Sequence, residues 1–402
     1  MAARGTSRKA WRPALERVGE GLAATLAVLA LLVVGAPPAS AGAPLTWARW
    51  QHVPGVVDVT GPRSDGSLVL AAADGLFLLD PLSGRREPFT AAASAYPGAG
   101  SGEPYIALST GQRVAAATCS FGRDDLFVLQ PKPAGAVLRI DAQGHAHGFA
   151  TVDGVESLTG IAFDSVGRFG HRLLVSGPNR GATVVAAIDC RGKVTRVTET
   201  APVLEGGIQV APVGFGSFGG DLVAPDELSG NLYAISPDGS SATLARSGLP
   251  VGGDIGVEGV GFVPPGFAAG GAAYFADRST PRNPHPGTDS LLRLDSASLG
   301  RAGVRDGDLL VATEGGAGMI DVRCARTCQV TELVSGDTAH GEGHVLAVAA
   351  TPGPAGKTLP EASDLGHSAM LQRWLTWGGI AAIAVLALAA IGLFLARRRR
   401  HR

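Results

Sequence analysis

The chain has 402 residues, and its 34 basic and 35 acidic side chains nearly cancel, but ten of the basic ones lie in residues 1–41 and 397–402. What remains carries 24 Lys+Arg against 33 Asp+Glu, about −9, which argues against nucleic acid or anionic lipid as its main partner. With 58 glycines and 5% aromatic residues, the wording suits thin strands and tight turns in one large single-core domain.

Residues 1–41 read as a signal peptide. They have a basic start (Arg4, Arg8, Lys9, Arg12, Arg17), an apolar run over 21–35 and a small-x-small cleavage site at Pro37-Pro-Ala-Ser-Ala41. An uncleaved signal anchor is the alternative.

Residues 42–350 repeat one pattern: two short apolar strands bounded by Gly, Asp and Pro. The fullest copy runs from Phe218 to Gly239, with strands over 222–224 and 231–235. Six copies end at Asp80, Asp141, Asp189, Ser236, Asp295 and Asp321, in steps of 61, 48, 47, 59 and 26. A further apolar strand, entered through a glutamate, precedes most copies; the entries at Glu103, Glu156, Glu205 and Glu258 are 53, 49 and 53 apart. The next entry, Glu342, follows after 84 residues. Irregular repetition near 50 residues of short strands predicts an all-β propeller, most simply of six blades, with five or seven also compatible. The wide gap predicts that one blade is abbreviated, or is completed by a C-terminal strand over 345–350 that closes the ring beside the N-terminal strand.

Four cysteines fit an exported protein. Cys324 and Cys328 bracket a hairpin turn between 319–322 and 329–333, which predicts one bridge there and leaves Cys119–Cys190 as the second. Residues 351–373 form a Pro/Gly/polar linker. Residues 374–396 read as a transmembrane helix: 375–396 carry no charge, and Trp374 and Trp377 sit at an interfacial position. The basic tail 397–402 then places the C-terminus in the cytoplasm and the body outside, on a single-pass cell-membrane protein. Leu359-Pro-Glu-Ala-Ser363 departs from the sortase signal at both positions flanking the cleaved bond.

Glutamates entering the inner strands and acids ending the neighbouring second strands (Asp226, Glu227, Asp277, Glu314) should meet at one mouth of the ring, because those two strands are antiparallel. Such carboxylates repel unless a cation neutralises them, and oxygen ligands favour calcium or magnesium. The nominated metal ligands are Glu156, Glu205, Glu258, Glu342, Asp226, Asp277 and His344, with Ca2+ as the ion. The competing reading has them as solvated loop acids, or paired with Arg180, Arg278 and Arg301. In His340-Gly-Glu-Gly-His344, strict alternation would aim both imidazoles and the carboxylate to one side. His ligands would shift the preference toward zinc or another transition metal. Gly214-Phe-Gly-Ser-Phe-Gly219 precedes a strand and not a helix, so it is a turn and not a phosphate cradle. No Gly-x-Ser-x-Gly elbow occurs, and no catalytic or cofactor-binding set can be named.

The Gly-Asp-Leu-Val and Gly-Asn-Leu-Tyr-Ala-Ile strand pair and the acidic strand entries resemble the six-bladed group of NHL-repeat, gluconolactonase-like and strictosidine-synthase-like proteins. The resemblance spans most of 50–350. It implies a calcium ion at one channel mouth, held by a Glu and several Asn or Asp. Glu258 or Glu156 corresponds to that Glu, and Asp226 and Asp277 follow second strands as the others do. Of the asparagines, Asn179 alone falls in a comparable loop.

The expected function is a membrane-anchored binding module facing an extracellular or envelope ligand. The alternative is a divalent-metal-dependent hydrolase acting on a lactone or related ester. Protease added to intact protoplasts should release a fragment containing most of the chain; protection of the bulk of 42–370 would reverse the orientation.

Overall fold

A computed structural model describes residues 44–89, 96 and 102–350; the signal peptide, linker, transmembrane segment and tail expected from the sequence lie outside these residues. Among the described residues no helix is long and apolar enough to cross a membrane.

The first strand, β1 (Ala48–His52), belongs to the last blade. Blade one runs outward from the axis through β2 (Asp58–Thr60), β3 (Leu68–Ala72), β4 (Gly75–Leu79) and β5 (Arg86–Pro88). Blade two begins with β6 (Ile106–Thr110). A small hairpin, β7 (Arg113–Val114) and β8 (Cys119–Ser120), intervenes before β9 (Arg123–Leu129), β10 (Ala136–Ile140) and β11 (Ala146–Thr151). Blade three is β12 (Gly160–Phe163), β13 (Leu173–Asn179), β14 (Ala182–Ile188) and β15 (Val194–Ala201). Blade four is β16 (Gln209–Val210), β17 (Leu222–Asp226), β18 (Asn231–Ile235) and β19 (Ser241–Arg246).

The last two blades interleave. After β20 (Val257–Phe262) the chain lays down β21 (Ala272–Asp277) and β22 (Ser290–Asp295) in blade six, then a short helix α1 (Ser296–Arg301). It returns to blade five as β23 (Leu309–Thr313), β24 (Met319–Cys324) and β25 (Cys328–Val334), and ends on β26 (Gly341–Val348). Blade five is ordered β20-β23-β24-β25 and blade six β26-β21-β22-β1. All six sheets therefore have four strands, and none is abbreviated. The wide gap before Glu342 reflects strands of two blades written into one stretch. The ring is closed from both ends, with the N-terminal strand outermost and the last strand innermost in the same sheet.

Each sheet is covered on both faces by its neighbours, so β3, β17 and β23 are buried at every position and read as continuous apolar runs. Six apolar clusters fill the six gaps between adjacent blades. The gap between blades two and three holds a set of edge-to-face rings, Phe121 on Phe163 at 4.9 Å and Phe127 on Phe149 at 4.8 Å. Cys119 pairs with Cys190, tying the β7–β8 hairpin to the end of β14 in the next blade. Cys324 pairs with Cys328 opposite it in the β24–β25 register.

At the axis, β26 leaves regular pairing. Tyr274 faces Leu346 and Ala276 faces Glu342, so Gly343, His344 and Val345 share the single partner Phe275. Gly343 has φ +68° there, and a Cβ would lie 2.6 Å from Asp58 Oδ1. Its carbonyl oxygen comes within 2.6 Å of where Cβ atoms would stand on Gly207 and Gly259, which is why small residues line these inner strands. The bulge delivers His344 to the fully buried Asp58. That carboxylate accepts from Val59 N at 2.8 Å, Ile106 N at 2.8 Å, His344 N at 2.9 Å and His344 Nδ1 at 2.9 Å. His344 Nε2 donates to Ile161 O at 2.9 Å, so both ring nitrogens carry protons. Burial opposes that charge, but Asp58 and the carbonyls around the ring hold the imidazole pKa above its ordinary value.

Asp58→Asn would leave the imidazolium buried without its counter-charge and should destabilise the fold by about 3–5 kcal/mol in urea denaturation of the full chain. Glu156→Gln, at an exposed loop, should stay within about 0.5 kcal/mol of the parent. An Asp58→Asn protein as stable as the parent would contradict the axial pairing.

Candidate functional site at the axial mouth

Inner strands begin where second strands end: Gly341 pairs with Asp277, and Val257 with Thr313. This geometry, expected from the antiparallel order, gathers acids from several blades at one mouth. In β20 the register shifts around Glu258, between Val257 and Gly259, freeing its side chain from the regular alternation.

The tightest group is Glu314, His340 and Glu342, all buried, each offering one ligand atom within 4.8 Å of the others. Backbone contacts hold all three, Glu342 through its pairing with Ala276 in β21. Glu314 N donates to Gly256 O at 2.8 Å, Gly341 N to Glu314 O at 2.7 Å, and His340 N to Asp277 Oδ1 at 2.8 Å. His340 Nε2 lies 3.1 Å from Glu314 Oε1 and 3.6 Å from Glu342 Oε1. Its Nδ1 is buried and unpartnered among the described residues. Nothing there fixes the tautomer, so the ring can keep its proton on Nδ1 and present the Nε2 lone pair to a cation.

Tyr105 connects this group to Glu258. Its hydroxyl is 2.6 Å from Glu258 Oε1 and 3.1 Å from Glu342 Oε2. A phenol has one proton and cannot donate to both. Glu342 already accepts from Arg278 Nη1 at 3.1 Å and is its ion-pair partner, while Tyr105 makes its shorter bond to Glu258. Burial, and then Glu103, Glu314 and Glu342, push Glu258 toward its neutral form and hold its pKa well above the ordinary value.

The nominated residues divide. Glu342 stands in the tight group, Glu258 one hydrogen bond away through Tyr105, and Glu205 farther out, where burial and then Glu314 raise its pKa. Asp277 is taken up by the His340 backbone and Thr288 N, so it positions His340 and does not join the tight group. Asp226 is taken up by its own turn, accepting from Leu228 N at 3.1 Å and Ser229 N at 3.3 Å. Glu156 is exposed and accepts from Arg180 N at 3.0 Å. His344 spends both nitrogens on Asp58 and Ile161, because the bulge at Gly343 breaks the alternation that would have aligned it with His340. Tyr105, Asp58 and the pairing of His340 with Glu314 are not foreseen in the sequence. Tyr105 carried one unused signal, an aromatic just past the acidic entry Glu103 of an otherwise small-residue strand.

The mouth holds its charge by keeping protons. Burial, then Glu342, Glu205 and Glu314, raise Glu103 to about 8; burial, then Glu314 and Glu205, raise Glu227 to about 8. For His340 burial works the other way, but bonds to Glu314 and Glu342 outweigh it and lift the ring to about 9. Every one of these groups binds its proton more tightly folded than unfolded. Their stabilisation is complete below the unfolded values of 4.5 and 6.5 and is lost as pH rises through 8 to 9. The melting temperature of metal-stripped protein should fall between about pH 5 and about pH 9. Glu227→Gln should flatten the fall modestly, since that side chain is only half-buried and screened. A melting temperature flat or rising across this range contradicts the proton-holding mouth.

No family model matches the chain, and no curated protein does. Among solved structures, the chain is similar to virginiamycin B lyase from Staphylococcus aureus, with 11% identity, 72% of each chain covered and a TM-score of 0.39. It is likewise similar to a calcium-binding protein, regucalcin, from Agrobacterium tumefaciens, with 17% identity, 60% of this chain and 74% of that one covered and a TM-score of 0.35. These are weak likenesses at the level of fold, in keeping with the six four-stranded blades.

Proposed function

We propose that this chain is a membrane-anchored extracellular propeller whose axial mouth binds a ligand through a divalent cation held by Glu314, His340 and Glu342. The observation that carries the reading is the convergence of three buried ligand atoms within 4.8 Å, each on a backbone-anchored residue. Export and anchoring draw support from the leader 1–41, the uncharged stretch 375–396 and four cysteines all in disulfides. Two carboxylates and one imidazole leave positions open for water or ligand oxygens. Calcium, the ion expected from oxygen donors alone, takes about six to eight oxygens, and the imidazole moves the preference toward manganese, zinc or a similar ion.

A second reading, a metal-dependent hydrolase, is favoured by one feature: the neutral Glu258 and Tyr105 place a proton donor beside the cation group. Calorimetric titration of metal-stripped full-length protein with calcium, manganese and zinc tests the shared core of both readings. Saturable binding of one ion is expected. Glu314→Gln, Glu342→Gln and His340→Ala should each weaken it at least about tenfold, the scale of losing even an outer partner in a metal site. Asp226→Asn should leave it unchanged. Turnover of esters or lactones that vanishes in Tyr105→Phe while cation binding persists selects the hydrolase. Binding without turnover selects the module, and binding indifferent to all three ligand variants overturns both.

A further inference from the structure

Opposite the mouth, between blades three and four, lies a cleft of about 300 Å³ that the axial site does not use. Its basic wall comes from the loop joining β12 to β13, where Gly167-Arg-Phe-Gly-His-Arg172 carries three basic side chains and no carboxylate. This loop is rigid by construction. The fully buried Asp164 accepts from Val166 N at 3.2 Å, Gly167 N at 2.8 Å, Phe169 N at 2.7 Å and His171 N at 2.8 Å. Phe169 is buried in the core between the two blades. The stem of Arg168 rests on Gly220, at φ +87°, where a Cβ would lie 2.3 Å from Arg168 Cγ.

Arg168 and Arg172 form no ion pair among the described residues. Of the nearby acids, Asp221 bonds to Ser236 and also feels the charge of Arg168 without forming an ion pair with it, and Glu199 pairs with Arg196 at 3.5 Å. Arg196 also donates to Asp153 O, whereas the side chains of Arg168 and Arg172 make no direct hydrogen bond or ion pair among the described residues. The remaining wall is mixed: Phe169, Ala187, Val197 and Pro237 are apolar, and Thr195 and Arg196 are polar. Planar guanidinium forks match oxyanions in two-point fashion, and a preorganised pair gives up little entropy on binding. Such a basic cleft on a body of net charge about −9 is a local departure from the rest of the chain.

We propose that this cleft is a second ligand site, for a small organic oxyanion whose phosphate or carboxylate sits on Arg168 and Arg172 and whose apolar body packs on Phe169, Val197 and Pro237. Calorimetric titration of the full chain in neutral detergent with phenyl phosphate, benzoate and phenol tests it. One or both anions should bind saturably at one site, and phenol at least tenfold more weakly. The tighter anion identifies the oxyanion class. The Arg168→Gln/Arg172→Gln double variant should lose at least tenfold in affinity, and exposed Arg246→Gln should match the parent. If the double variant melts early, Arg168→Lys/Arg172→Lys, which keeps charge but not the fork, should still bind more weakly than the parent. No saturable anion binding, binding as strong for phenol, or affinity unchanged in the arginine variants overturns the proposal.

Discussion

The ring depends on one buried ion pair. Asp58 comes from the first inner strand and His344 from the last, and together they bind the backbone of blades two and three through Ile106 and Ile161. A pair of this kind is costly to bury and tolerable only when every donor and acceptor is matched. Here both imidazole nitrogens have acceptors, and each carboxylate oxygen has donors. The interaction thereby fixes which inner strand closes the circle and at what register.

That constraint also builds the candidate site at the mouth. The bulge that sends His344 down to Asp58 leaves Glu342 and His340 above it, against Glu314 of blade five and Arg278 of blade six. The strand that closes the ring carries Glu342, and His340 immediately before that strand supplies a second of the three candidate ligand atoms. The interleaving of blades five and six has the same effect: the acids ending β23 and β21 flank β20 and β26 from adjacent sheets. Like charges so close are compatible with folding because protons, Arg278 and Tyr105 absorb the excess. A cation would take over that role where pH strips the protons away. Glu258 gains a distinct part, since burial and its acidic neighbours push it toward the neutral form.

Much of the architecture is legible in the residues because propeller strands, buried on both faces, appear as unbroken apolar runs between Gly and Asp turns. The strand over 231–235 and the Cys324–Cys328 hairpin lie where those signals put them. The mouth itself is legible from strand direction. The interleaving is not, because local turn chemistry is the same whichever sheet a strand joins, and only spacing near Glu342 betrays it. The ligand set is harder still. Asp226, Asp277 and Glu314 all end second strands, yet the first two are claimed by nearby N–H and hydroxyl donors and the third is not. His344 fails the alternation rule because Gly343 permits a bulge, a choice that no pattern of period two can encode.

The central claim is that Glu314, His340 and Glu342 hold one cation at the axis. Crystals of the metal-stripped protein soaked in manganese, measured at a wavelength where manganese scatters anomalously, test it directly. The account predicts a single strong anomalous peak about 2.0–2.6 Å from a Glu314 oxygen, His340 Nε2 and a Glu342 oxygen. A peak elsewhere in the mouth, such as between Glu205 and Glu227, or no peak at the axis at saturating manganese, would contradict it.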